Sequence, residues 1–158
     1  QALALIPSGQ RPQVVHQSGE KQIDALRANY TAAGVLAELT PFIDDTAQAF
    51  ADADLIVCRA GASTVTEIAA VGAAALLVPF PHAVDDHQTT NARFLTDAGG
   101  AWVVQQNELT PQMLASQLQS LQRNQLLAMA EKAKQMEKTH AVAAVVSACE
   151  QLAKVKTV

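Results

Sequence analysis

The run Cys58-Arg59-Ala60-Gly61-Ala62-Ser63-Thr64-Val65-Thr66-Glu67 combines the residue types needed to bind an anion and a pair of hydroxyl groups side by side. An apolar stretch, Leu55 to Cys58, stops at Arg59, and a turn of small residues follows. Val65, Ile68, Ala69 and Gly72 then recur at helical spacing. The pattern predicts strand, tight turn and helix. A helix that opens on Gly, Ser and Thr presents unpaired main-chain N–H groups and a positive dipole end, which suits a phosphate. Glu67 sits one turn inside, where an acid in a nucleotide site takes ribose hydroxyls. An ordinary strand-to-helix turn with Ser/Thr caps would leave the same local signature.

A second polar stretch runs from Pro79 to Asn91 and includes His82, Asp85, Asp86, His87, Gln88, Thr89 and Thr90. Its Asp, His, Gln, Thr and Asn side chains suit hydroxyl recognition. Asp85, Asp86 and His87 also suggest a metal site. Adjacent residues seldom converge on one ion, however, and no second His/Asp cluster supports them. Asp86 is more simply the N-cap of the helix that follows. Arg59 has two readings, a counter-charge for a diphosphate or a partner for a local acid. His16 and His140 receive no role.

These residues need a scaffold, and the periodicities supply one. Strands are predicted at Gln13–His16, Val35–Leu39, Leu55–Cys58, Ala75–Val78 and Ala101–Val104. Helices are predicted at Lys21–Ala33, Thr46–Asp52, Thr64–Val71, Asp86–Ala98, Pro111–Leu121, Leu126–Lys138 and Val142–Lys154. Such alternation means an α/β fold with a doubly wound, Rossmann-like parallel sheet. Ligands of such sheets lie beyond the carboxyl ends of the strands. Three turns fall on that edge: Phe42-Ile43-Asp44, Arg59 to Thr64, and Pro79 to Asn91.

Composition narrows the partners. At 158 residues, 49% hydrophobic and 4% aromatic, the chain is sized for one domain with Ala-rich helices close on a sheet. A net charge of −4, with no basic run, argues against nucleic acid. Cys58 and Cys149 lie far apart in sequence, as expected of a reduced cytoplasmic protein. The apolar stretch Ala69–Phe80 is too short to span a bilayer. The opening Gln1–Ile6 lacks a basic n-region and reads as the end of a helix stopped by Pro7-Ser8-Gly9. The expectation is a piece of a longer protein, cut inside a helix.

The two motifs C-R-A-G-A-S-T-V-T-E and V-P-F-P-H-A-V-D-D-H-Q-T-T-N-A, with H-Q-S-G at His16–Gly19 and the turn Phe42-Ile43-Asp44-Asp45, closely resemble the C-terminal domain of the MurG family. These are the UDP-N-acetylglucosamine (UDP-GlcNAc) transferases of peptidoglycan synthesis, and the similarity runs along essentially the whole chain. The resemblance implies the C-terminal half of a GT-B glycosyltransferase, a UDP-GlcNAc-binding domain over residues 1–158 with C-terminal helices at 139–158. It matches Ile43 to the residue whose main chain pairs with uracil. It matches Ala62, Ser63, Thr64 and Val65, with Thr66 in the same motif, to the diphosphate-binding turn, and Glu67 to the ribose-binding acid. Gln88, with His87 before it, matches the pair that faces the sugar hydroxyls. Many relatives have Leu in place of Ser63 and Ser in place of Thr66; neither change removes a main-chain donor. Loop length ahead of His87 differs among relatives, which leaves the partner of His87 open.

The resemblance further implies an inverting, metal-independent hexosyltransferase without a cofactor. It would move N-acetylglucosamine from UDP to lipid I, undecaprenyl-pyrophosphoryl-muramoyl-pentapeptide, to give lipid II. In this family the first strand and glycine-rich loop precede the helix at which this chain begins. Acceptor site, catalytic base and membrane-associating patch belong to the N-terminal domain, so no catalytic residue is expected here. The parent protein would lie on the cytoplasmic face of the cell membrane. Two rivals remain: a UDP-GlcNAc 2-epimerase-like enzyme, and a non-catalytic nucleotide-sugar-binding subunit.

Overall fold

The computed structural model describes residues 1–81, 86–138 and 140–155. Five short parallel strands alternate with helices, as the periodicities predict. Strand β1 (Val15–Gln17) pairs with β2 (Glu38–Thr40), with His16 opposite Leu39. Strands β3 (Ile56–Cys58), β4 (Ala75–Leu77) and β5 (Ala101–Val103) form a second ladder in that order. Among the described residues the two ladders are not hydrogen-bonded to each other. Val15 of β1 and Val57 of β3 remain 57% and 48% exposed.

The core sits around β4, which is buried throughout. Helix α3 (Ala62–Val71) covers it with Val65, Ile68 and Ala69, and α4 (His87–Thr96) with Ala92 and Leu95. Helix α6 (Arg123–Gln135) adds Ala133, whose backbone lies so close to the start of β5 that a Cβ on Gly100 would stand 2.8 Å from it. Helices α1 (Ile23–Ala32), α2 (Thr46–Asp52), α5 (Pro111–Ser120) and α7 (Ala141–Val155) complete the chain.

Several boundaries differ from the sequence expectation for local reasons. Strand β2 starts at Glu38 rather than Val35, because the Val35 N–H closes the end of α1 on the Tyr30 carbonyl at 3.1 Å. The left-handed Gly34 beside it makes that closure possible. Helix α3 starts two residues early, with Gly61 as an extended N-cap. Helix α6 starts at Arg123 because Gln122 and Gln125 form a reciprocal capping box, a pairing with no Ser or Thr to signal it. The predicted helix end at Gln1–Ile6 is a 3₁₀ turn, Ala2–Leu5. Pro7 holds Ile6 extended (φ −90°, ψ 132°), and Ala2 and Ile6 pack with Ala115 of α5.

Candidate functional site

The turn between β3 and α3 lies on the carboxyl edge of the second ladder. Gly61 (φ −65°, ψ 150°) contributes no capping side chain. The first helical bond runs from the Val65 N–H to the Gly61 carbonyl at 3.0 Å. The N–H groups of Ala62, Ser63 and Thr64 therefore precede the helical ladder and are its orphan donors. Ala62 and Ser63 are exposed, Thr64 is half-buried, and Val65, 3% exposed, anchors the turn in the core. The Thr66 hydroxyl donates backwards to the carbonyls of Ser63 (2.7 Å) and Ala62 (3.1 Å), bracing the first turn. Three parallel donors at a positive helix end form a surface for an anion.

The first turn of α4 holds this turn in place. Gln88 Oε1 accepts the N–H of Ala60 at 3.2 Å and that of Phe80 at 2.9 Å. Asn91, one helical turn on, donates from Nδ2 to the Ala60 carbonyl at 3.1 Å. Fully buried Ala60 is thus tied at both its main-chain groups by α4. The Gln88 oxygen is committed to main chain, which leaves its Nε2 as the group able to donate outward. His87 is exposed beside it at the start of α4. Asp86 occupies the N-cap position with a left-handed backbone (φ 50°) but caps no main-chain N–H. Its carboxylate instead accepts the Thr89 hydroxyl at 2.7 Å. His82 and Asp85, also named from sequence, lie outside the described residues. Among the described residues no group of His, Cys, Asp or Glu side chains is arranged to hold a metal.

Arg59 meets no acid among the described residues. Its guanidinium donates to the carbonyls of Val78 (3.2 Å) and Pro79 (3.1 Å) and to Gln106 Oε1 (2.6 Å), and lies 5.4 Å from the centre of the Phe80 ring. It ties together the segments that follow β3, β4 and β5. Asn91 and Gln106 carried no sequence signal of their own; only their position in a polar stretch or after a strand marked them.

The third turn follows β2. Thr40 Oγ1 donates to the Phe42 carbonyl at 2.7 Å and accepts its N–H at 3.3 Å. The Ser18 and Gly19 N–H groups bind the carbonyls of Thr40 and Pro41, pinning the turn to the end of β1. The Ile43 N–H donates to Gln17 Oε1 at 2.9 Å. Asp45 then caps α2 through the Gln48 N–H at 2.9 Å. The start of α2 and the second turn of α3 border one open depression of about 270 Å³, lined by Thr46, Ala47, Phe50, Glu67, Ala70 and Val71. The exposed Glu67 therefore stands across a shallow groove from the helix that follows Ile43. The structure ties Gln88 to Ala60, at the start of the turn that leads into Ala62–Glu67, and sets Thr46 and Ala47, a few residues after Ile43, on the groove that Glu67 lines.

Three titratable groups, Cys58, His16 and Tyr30, are half-buried. Burial pushes the Cys58 thiol up to about 11. His16 Nδ1 hydrogen-bonds Tyr30 Oη at 3.0 Å; burial lowers the imidazole pKa and raises that of the phenol.

Comparison with known proteins agrees with this fold. Residues 1–146 match the family model described as the glycosyltransferase family 28 C-terminal domain. The chain is 72% identical, over 96% of its length, to the UDP-N-acetylglucosamine--N-acetylmuramyl-(pentapeptide) pyrophosphoryl-undecaprenol N-acetylglucosamine transferase of Paracidovorax citrulli, and covers 43% of that protein. To the transferase of the same name from Polaromonas sp. (strain JS666 / ATCC BAA-500) it is 71% identical, covering 97% of this chain and 40% of that one. It thus spans about two fifths of the length of these curated relatives. Among solved structures, Acinetobacter baumannii MurG superposes with a TM-score of 0.86 at 43% identity, over 95% of this chain and 46% of that one. The glycosyltransferase VinC, solved with dTDP, shares the fold at a TM-score of 0.64 and 24% identity, over 95% of this chain and 36% of that one. The architecture is that of the C-terminal half of a GT-B glycosyltransferase, and the resemblance to the MurG family holds along the chain.

Proposed function

Because this chain belongs to the glycosyltransferase family 28 C-terminal domains, we propose that it is the donor-binding domain, spanning residues 1–158, of the transferase that moves N-acetylglucosamine from UDP-GlcNAc to lipid I. The observation that carries this reading is the pairing of an open helix N-terminus at Ala62–Thr64 with Glu67 one turn further, lining a groove that the start of α2 also borders. The diphosphate lies on the N–H groups of Ala62, Ser63 and Thr64, with Val65 and Thr66 holding the turn from behind. Glu67 accepts the ribose hydroxyls. The Ile43 main chain pairs with uracil. Gln88 Nε2 and His87 face the hexose.

Chemically, the chain's contribution is electrostatic. As the bond from the anomeric carbon to the diphosphate breaks, negative charge grows on UDP. The orphan donors and dipole of α3 stabilise that charge without reorganising, the work a divalent cation does in other transferases. The acceptor hydroxyl and its base come from outside these residues, so the 158-residue chain alone is expected to show no turnover. No helix among the described residues is long and apolar enough to cross a membrane. Attachment to the cytoplasmic membrane face, as a peripheral protein, falls to the acceptor half.

Titration calorimetry of the full-length protein with UDP and with UDP-GlcNAc tests the reading. Hydrogen bonds to a charged group contribute about 1.5–3 kcal/mol each. Glu67→Ala should weaken both ligands alike, by about tenfold to a hundredfold. Deoxy-UDP, which lacks the 2′-hydroxyl, should bind the wild type less well and lose less on that substitution. Unchanged UDP affinity in Glu67→Ala would remove the ribose assignment.

A further inference from the structure

We propose that Gln17 is a displaceable stand-in for the nucleotide base: its carboxamide occupies the Ile43 main-chain N–H in the ligand-free protein and must swing out when a uridine nucleotide binds. The inference rests on the donor-site reading above and adds a step to it. Uracil offers an acceptor, O4, beside a donor, N3–H. A Gln carboxamide offers the same pair, Oε1 beside Nε2–H. Gln17 Oε1 accepts the Ile43 N–H at 2.9 Å, from 26 residues away in sequence.

The rest of the turn is built so that this one bond is free to change. Phe42 is held at both main-chain groups by Thr40 Oγ1. Thr40 and Pro41 are held by the main chain of Ser18 and Gly19. Asp45 is fixed as the cap of α2. Only the Ile43 N–H depends on a long side chain, and Gln17 lies exposed at the last position of β1. A side chain in water withdraws by rotation about its own bonds, with no backbone rearrangement. While it stays, the Ile43 donor is satisfied and oriented; when uracil arrives, one hydrogen bond is exchanged for another. Base affinity is thus reduced by the fraction of time the seat is taken.

Calorimetry of the full-length protein with UDP, and with inorganic pyrophosphate as a ligand lacking the base, tests this. Gln17→Ala vacates the seat and should bind UDP about two- to tenfold more tightly, with pyrophosphate unchanged. Gln17→Glu holds the Ile43 N–H by a charge-assisted bond and offers no donor. It should weaken UDP by more than it weakens pyrophosphate. Equal or weaker UDP binding by Gln17→Ala would overturn the proposal and make Gln17 a support of the turn. If the wild type binds no UDP, the donor-site reading itself falls, and this one with it. Wild-type binding combined with a loss in Gln17→Ala removes the Gln17 step alone.

Discussion

The side-chain oxygen of Gln88 accepts the main-chain N–H of Ala60 at 3.2 Å, so the helix that follows β4 holds the turn that follows β3. The same oxygen takes the Phe80 N–H, and Asn91 closes the Ala60 carbonyl. A residue that the family resemblance matches to the sugar therefore also shapes the turn proposed to hold the diphosphate. Substituting it tests both tasks.

Gln88→Ala leaves two main-chain N–H groups without their acceptor. It should cost about 1–3 kcal/mol of stability and loosen bare UDP by severalfold. Gln88→Glu keeps the accepting oxygen and removes the Nε2 donor. It should restore the melting temperature and UDP affinity, yet leave UDP-GlcNAc affinity or turnover low. Thermal melts alongside calorimetry with the two ligands separate these effects. A Glu variant as loose toward UDP as the Ala variant would show that the oxygen does not hold the turn.

Arg59 binds three acceptors in two segments, a task that suits a planar, forked donor. Arg59→Met should lower stability by on the order of 1–2 kcal/mol and weaken UDP. Arg59→Lys should recover little of either, because an ammonium does not span the same carbonyls and Gln106. Urea midpoints for both variants give the comparison, and full recovery by Lys would reduce Arg59 to a point charge.

The two thiols should react in a fixed order. Cys149 is exposed, whereas Cys58 is partly buried with its thiol pushed up to about 11. At pH 8 roughly a thousandth of Cys58 is thiolate, and the thiolate is the reactive form. Timed alkylation read by mass spectrometry should label Cys149 first and Cys58 only after denaturation. Equal rates in the folded protein would contradict the partial burial of Cys58.

His16 makes stability depend on pH in a definite direction. Burial lowers its folded pKa below the ordinary 6.5, so the unfolded chain binds a proton that the folded chain resists. Stability is then lost as pH falls through 6.5 toward the folded value, and is restored above 6.5. Urea midpoints between pH 8 and pH 5 should fall in the wild type and fall less in His16→Gln. Parallel curves would place the acid sensitivity elsewhere.

What the sequence determined by itself was local. Leu55–Cys58, the small-residue turn and the helical spacing of Val65, Ile68 and Ala69 specify strand, turn and helix within a few residues of one another. Hydrophobic periodicity is read by adjacent atoms, so alternation, fold class and family motifs were legible. The exact start of β2 was not, because Val35 belongs by burial to the core but by hydrogen bonding to the end of α1. The start of α6 was hidden by a cap made from two glutamines.

Only the tertiary structure decided which polar groups meet. Gln17 reaches Ile43 across 26 residues, Gln88 and Asn91 reach Ala60 across 28 and 31, and Arg59 reaches Gln106 across 47. Each contact joins a carboxyl-edge loop to another such loop, to the end of a neighbouring strand, or to the start of α4. Parallel strands bring those loops together only after the intervening helices have crossed back over the sheet. A side-chain amide carries donor and acceptor alike, so its type does not specify its partner. At Ala60 that choice is made by the packing of β4, α3 and α4, and at Gln17 by the pairing of β1 with β2.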